Sequence, residues 1–175
     1  MPSKTITIFL LTGLSICQCV FAEGTSTIGL ELPTGLKIPI ALDEPFGDTS
    51  EKGDTIRAHV AANVLYDGQI WVPKDSAVTG KLIATQSQPH AHSCDVSFSN
   101  IACSDGRSAE LHARPVIKKG VLVVKRGLTE IRFDCDNFPN YTAARIAEHR
   151  STKLSFEKGD EFLIELTDPV ELVSR

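Results

Sequence analysis

Positive charge is in short supply in this chain: 18 Lys and Arg stand against 22 Asp and Glu. A nucleic-acid surface draws on clustered positive charge, so no nucleic-acid partner is expected. Beyond residue 22 no apolar run approaches the ~20 residues of a bilayer-spanning helix, so any membrane association would be indirect. Neither Gly-x-Ser-x-Gly nor His-Glu-x-x-His occurs, and His59, His112 and His149 are scattered. The carboxylate pairs Asp43 with Glu44, Asp134 with Asp136, and Asp160 with Glu161 all flank turns, where such groups are ordinarily solvated or bonded to backbone amides. No catalytic residue and no cofactor is therefore assigned, and the chain reads as non-enzymatic.

What is there begins with a leader. Lys4 supplies a positive start, Ile6 opens an apolar stretch running to Val20, and Val20-Phe21-Ala22 has the compact residues a signal peptidase reads. That stretch contains Thr12, Gly13, Ser15 and Gln18, and it is short for a membrane span. Cys17 and Cys19 follow Ile16 and Gln18, where lipidation wants a small residue. The expectation is a cleaved signal peptide over 1–22 and one periplasmic domain over 23–175, long enough for a core of its own.

Three cysteines survive such processing: Cys94, Cys103 and Cys135. In an oxidising compartment a Cys94–Cys103 bridge is the favoured pairing, with Cys135 left over. A second reading competes for Cys94. In His90-Ala91-His92-Ser93-Cys94, alternate side chains on extended backbone share a face, and His90, His92 and Cys94 could together hold a soft or borderline metal. A disulfide would consume that thiol.

The rest of the chain alternates. Leu36, Ile38, Ile40 and Leu42 have the period of a half-buried strand, as do residues 55–60 and Phe162, Ile164 and Leu166. Val64-Leu65-Tyr66 meets Ile70-Trp71-Val72 across Asp67-Gly68, a strong hairpin dipeptide because both residues tolerate positive φ. Pro73 cannot donate to a ladder and should end the second strand. Ser104-Asp105-Gly106-Arg107, Lys118-Lys119-Gly120 and Glu157-Lys158-Gly159-Asp160 read as further turns. The polar stretch 86–93 reads as a loop. Only residues 141–150 break the pattern, with Thr142 placed to cap a short helix over 143–148. Many short strands and at most one short helix predict an all-β, barrel-like single domain. Tyr66 and Trp71 are candidate interface anchors, against the plainer reading of half-buried core aromatics. Lys118-Lys119 and Lys125-Arg126 form a basic rim or, more plainly, charged turns around a core strand.

Val64-Leu65-Tyr66-Asp67-Gly68 running into Ile70-Trp71-Val72-Pro73-Lys74-Asp75-Ser76, then a strand ending at Gly80, resembles the carboxy-terminal barrel of the VirB10/TrbI family. Val96-Ser97-Phe98-Ser99-Asn100-Ile101, Asp105-Gly106, Leu111, and Phe156-Glu157-Lys158-Gly159-Asp160-Glu161-Phe162 continue the likeness across most of residues 30–173. Members are scaffolds of bacterial type IV secretion and conjugation machines. The resemblance implies protein–protein docking in the periplasm, with envelope or secretion-machine proteins and further copies of the chain as partners. Asp75 departs from the glycine that the family prefers. A leader stands in place of the family's cytoplasmic tail, membrane helix and spacer, and residues 138–150 are too short for its pair of channel helices. A periplasmic scaffold or accessory protein is the expectation; a metal- or small-ligand-binding envelope module is the alternative.

Overall fold

The computed structural model describes residues 30–47, 49–88, 91–135, 144–148 and 154–174. Every regular element among them is a strand: β1 (Leu30–Leu32), β2 (Lys37–Leu42), β3 (Phe46–Gly47), β4 (Thr55–Val60), β5 (Val64–Tyr66), β6 (Gln69–Val72), β7 (Ala77–Gln88) and β8 (Ala91–Ala102) in the first part. They are followed by β9 (Arg107–Pro115), β10 (Ile117–Lys118), β11 (Val121–Arg126), β12 (Thr129–Asp134), β13 (Ala144–Glu148), β14 (Ser155–Phe156), β15 (Glu161–Leu166) and β16 (Val170–Ser174). The expectation of an all-β barrel holds.

Six strands close on themselves. Antiparallel pairing runs from β7 to β8, β9, β15, β2 and β4, and from β4 back to β7. Alternation in the sequence becomes inside and outside of this ring. In β4, Ile56, Ala58 and Val60 are buried, and in β15 Phe162, Ile164 and Leu166 are buried, each with exposed or half-buried residues between them. A one-residue slip would turn every one of these side chains to water, so burial itself specifies the register.

The β7–β8 hairpin is longer than the barrel. Its register shifts twice, between Thr79 and Gly80 and between Leu82 and Ala84, and such bulges bend a strand pair and increase its twist. Gly80 sits at the first bend, where a Cβ would run into the Ser97 carbonyl and the Phe98 ring. Beyond the bends, β8 leaves β9 and pairs with β13, from Ala144 opposite Val96 to Glu148 opposite His92. From β13 a second sheet continues through β12 and β11 to β10.

Two expectations are corrected here. The polar stretch 86–93 is not a long loop, because β7 runs to Gln88 and β8 resumes at Ala91. Residues 144–148 form a strand, not a helix. Helix propensity is a weak preference over so short a segment, and an unmet ladder on β8 overrides it.

The second sheet joins the barrel through a shared core that includes Leu122, Val124 and Phe133, and through specific contacts. Lys125 of β11 lies opposite Glu161 of β15. Phe156 of β14 stacks on Phe46 at 4.5 Å, meets Phe133 of β12 at 4.8 Å, and reaches Phe162 of the barrel at 6.3 Å between ring centroids. One buried ion pair completes the join. Arg126 Nε donates to Asp160 Oδ1 at 2.8 Å and its Nη2 to Oδ2 at 2.7 Å, while the Glu157 N–H donates to Oδ2 at 2.9 Å. Asp160 is fully buried, so this bidentate partner and backbone donor offset the cost of taking its charge out of water. Arg126 is thus a clasp between β11 and the turn before β15, not part of a basic rim.

Candidate functional site

β5 and β6 form a two-stranded sheet of their own, outside the ring. The turn between them holds Asp67 at φ 49° and Gly68 at φ 75°, the doubly left-handed conformation that a two-residue hairpin favours. At the base, Val64 and Val72 face each other and are buried. Toward the tip the burial ends. Leu65 lies opposite Ile70, and these two are 62% and 49% exposed. Tyr66, exposed, rests on Trp71 with ring centroids 4.4 Å apart, and Trp71 packs in turn against the core. The result is an apolar prong with aromatic bracing.

A polar platform holds it. Asn63 Oδ1 accepts from the Lys74 N–H at 2.7 Å, and Arg107 Nη2 donates to the Trp71 carbonyl at 2.9 Å. Asp75 takes φ 64°, so the aspartate adopts the left-handed backbone that glycine would adopt more readily. Its N–H donates to the Val60 carbonyl and Val60 donates to Ser76, both at 2.9 Å. The buried Ser76 hydroxyl donates to the Pro73 carbonyl at 2.6 Å and accepts from the Ser104 N–H at 3.3 Å. Arg107 also grips Asp105, Nη2 to Oδ2 at 2.6 Å. That hydrogen bond holds the Asp105 carboxyl below the usual range, and Asp105 in turn raises Arg107. Cys103 lies under the same turn, its thiol pushed up by burial and then by the Asp105 charge.

Of the sequence-assigned anchors, Tyr66 is exposed as an interface residue would be, while Trp71 is half-buried and serves as its support. Leu65 and Ile70, which present more surface, were missed. Their signal was the loss of alternation: Val64-Leu65-Tyr66 and Ile70-Trp71-Val72 are apolar on both faces, in a hairpin covered on only one.

The other candidates do not converge. Cys94 and Cys103 lie nine positions apart along β8 and its end, roughly 30 Å of extended chain at ~3.3 Å per residue. A disulfide needs Cα atoms within about 7 Å, and among the described residues no cysteine pair is joined. The expected Cys94–Cys103 bridge is therefore corrected: Cys94 lies in β8 and Cys103 just past its end, so they are spread along one strand and not set on opposed strands. For the metal set, His90 and the side chain of His92 lie outside the described residues, and Cys94 is buried in the apolar core. Among the described residues no three His, Cys, Asp or Glu side chains form a metal-holding group. Two of the carboxylate pairs are engaged elsewhere: Asp43 Oδ1 meets His59 Nδ1 at 2.7 Å, Glu44 meets Arg57 at 2.7 Å, and Asp160 is clasped by Arg126, while Asp136 and the side chain of Asp134 lie outside the described residues.

No protein-family model matches the chain, and no curated protein matches it by sequence. Among the solved structures to which this one is similar is that of ComB10 of the Com type IV secretion system of Helicobacter pylori. The two chains are 14% identical, the match covers 81% of this chain and 90% of ComB10, and the TM-score is 0.49. A likeness of that size carries no function from one chain to the other.

Proposed function

We propose that this chain is an exported, periplasmic, non-catalytic scaffold or accessory protein of a type IV secretion- or conjugation-like assembly, acting by docking its barrel against other envelope proteins. The observation that carries the reading is the β5–β6 prong. Leu65, Tyr66 and Ile70 remain exposed on a hairpin whose base is fixed by at least two side-chain hydrogen bonds. An apolar tip on a rigid base suits a docking element, because aromatic and aliphatic anchors bind best when little ordering is left to do. The same residues, 64–80, carry the VirB10/TrbI-like pattern.

The test is photocrosslinking in cells from position 65, using the full chain with its own leader. Crosslinks to envelope proteins that disappear in an I70D variant of unchanged melting temperature are the expected result. Crosslinks to cytoplasmic proteins alone would overturn it. The mass of the recovered chain reads the export step directly, since processing after Ala22 leaves Glu23 at the amino terminus.

A further inference from the structure

The β7–β8 hairpin presents a second kind of surface, a strand edge. β4 accompanies β7 only as far as Thr55 opposite Lys81, with a last pair of bonds joining Leu82 to Gly53 and Asp54. From Ile83 to Gln88, β7 has β8 on one side and, among the described residues, no strand on the other. Leu82 turns its N–H and carbonyl toward the β4 side, and the bulge at Ile83 shifts that phase by one residue. Thr85 and Ser87 therefore carry the outward backbone groups.

Exposed edges are ordinarily protected by shortness, charge or proline. Other edges of this fold follow that rule. β1 has three residues and holds Glu31; β10 has two and holds Lys118. The outer side of β12 over residues 129–133 carries Glu130 and Arg132. The β7 edge breaks it. From Leu82 to Gln88, the seven residues of this edge contain no Asp, Glu, Lys, Arg or Pro, in a chain where 23% of residues are charged. Ile83, 41% exposed, stands at the start of the free edge.

We propose that this edge pairs with the same edge of a second copy, antiparallel about a two-fold axis that places Gln86 opposite its counterpart and Thr85 opposite Ser87. A self-pairing edge must meet itself without like-charge repulsion, and an uncharged stretch does so. In that register the outward N–H and carbonyl of Thr85 meet those of Ser87 in the other copy, and the reverse. The partner is a second copy because the edge offers backbone groups and small polar residues, with no charge pattern to select a different protein.

This rests on the reading that the chain works by assembly, yet it uses a surface separate from the β5–β6 prong. The experiment is light scattering of the purified full chain at several concentrations, with T85P, I83K and L65K beside it. Proline at 85 removes an outward donor that β8 does not use, and lysine at 83 restores the missing charge. The expected result is a dimer whose dissociation constant rises about tenfold or more in T85P and I83K, from the loss of strand–strand bonds, with unchanged far-ultraviolet circular dichroism. L65K should leave it intact. A wild-type monomer, a dimer indifferent to I83K, or a dimer lost in L65K would each overturn the edge pairing. A wild-type monomer that still crosslinks from position 65 would leave the docking reading standing.

Discussion

The closed ring and the sheet of β10 to β13 are made of the same kind of strand, yet they are held by different means. Around the ring, strand follows strand without a gap, and the interior fills with Ile, Val, Leu and Phe from all six. The outer sheet shares the buried core through Leu122, Val124 and Phe133, and is otherwise tied to the ring by the far end of β8, one residue pair with β15, the Phe156 cluster and the Arg126–Asp160 clasp. Closure pairs every ring strand on both sides, whereas the outer sheet adds a buried charge pair to its share of the common core. A single substitution should then loosen the second region locally and the first only as a whole.

The largest effect should come from inside the ring. Phe98 is 1% exposed, lies against Phe162 at 6.1 Å, and fills the region where Gly80 lets the hairpin bend. Replacing it with alanine should cost about 3–5 kcal/mol, read by urea unfolding, with both regions melting together. If the outer sheet stayed folded after the ring was lost, the contrast would be inverted.

Arg126→Ala should cost about 3 kcal/mol, because it strands the buried Asp160 carboxylate. Arg57→Ala removes an ion pair of the same length, 2.7 Å, but with both side chains more than half exposed, and should cost less than about 1 kcal/mol. Hydrogen exchange sharpens the point: in Arg126→Ala the amides of β11 and β12 should lose protection before those of β4 and β15. Uniform loss would mean that the two regions are one cooperative unit.

Neither region should depend on a disulfide. Protein recovered from an oxidising compartment should unfold at the same urea concentration with and without reductant, and peptide mapping should find no Cys94–Cys103 link. The Cys103 thiol, buried and raised above its usual range, should alkylate slowly until the chain unfolds. A linked peptide would require β8 to fold back on itself.

The smallest effect belongs to Asp105. Its folded carboxyl titrates below the ordinary range, so its stabilising contribution is present above that range and is lost as pH falls through the lowered value. Asp105→Asn should therefore reduce the fall in melting temperature between about pH 7 and about pH 3 by roughly 1–3 °C, a modest share because the pair is partly exposed.

The turns were the most legible part of the chain. Asp67-Gly68, Gly120 and Gly159 take the left-handed backbone that their residue types tolerate, Lys119 is carried into it beside Gly120, and Pro73 follows the last residue of β6. Alternation in β4 and β15 marked the interior residue by residue. Where reading failed, the deciding contact was distant. Residues 86–93 look polar because that end of the hairpin extends beyond the barrel, and residues 144–148 become a strand because β8 offers them a ladder. Arg126 looks like any basic residue near a turn until folding sets it beside Asp160, 34 positions later.

Side-chain period, proline and turn glycine act within a few residues, so the sequence by itself determined that this chain makes short antiparallel strands with one apolar face. Closure, the clasp and the neighbours of each edge depend on residues far apart in the chain meeting in space. Only the tertiary structure could therefore decide which six strands form the ring, that Cys94 and Cys103 are spread along β8 and its end, and that an uncharged edge of β7 has no neighbour among the described residues.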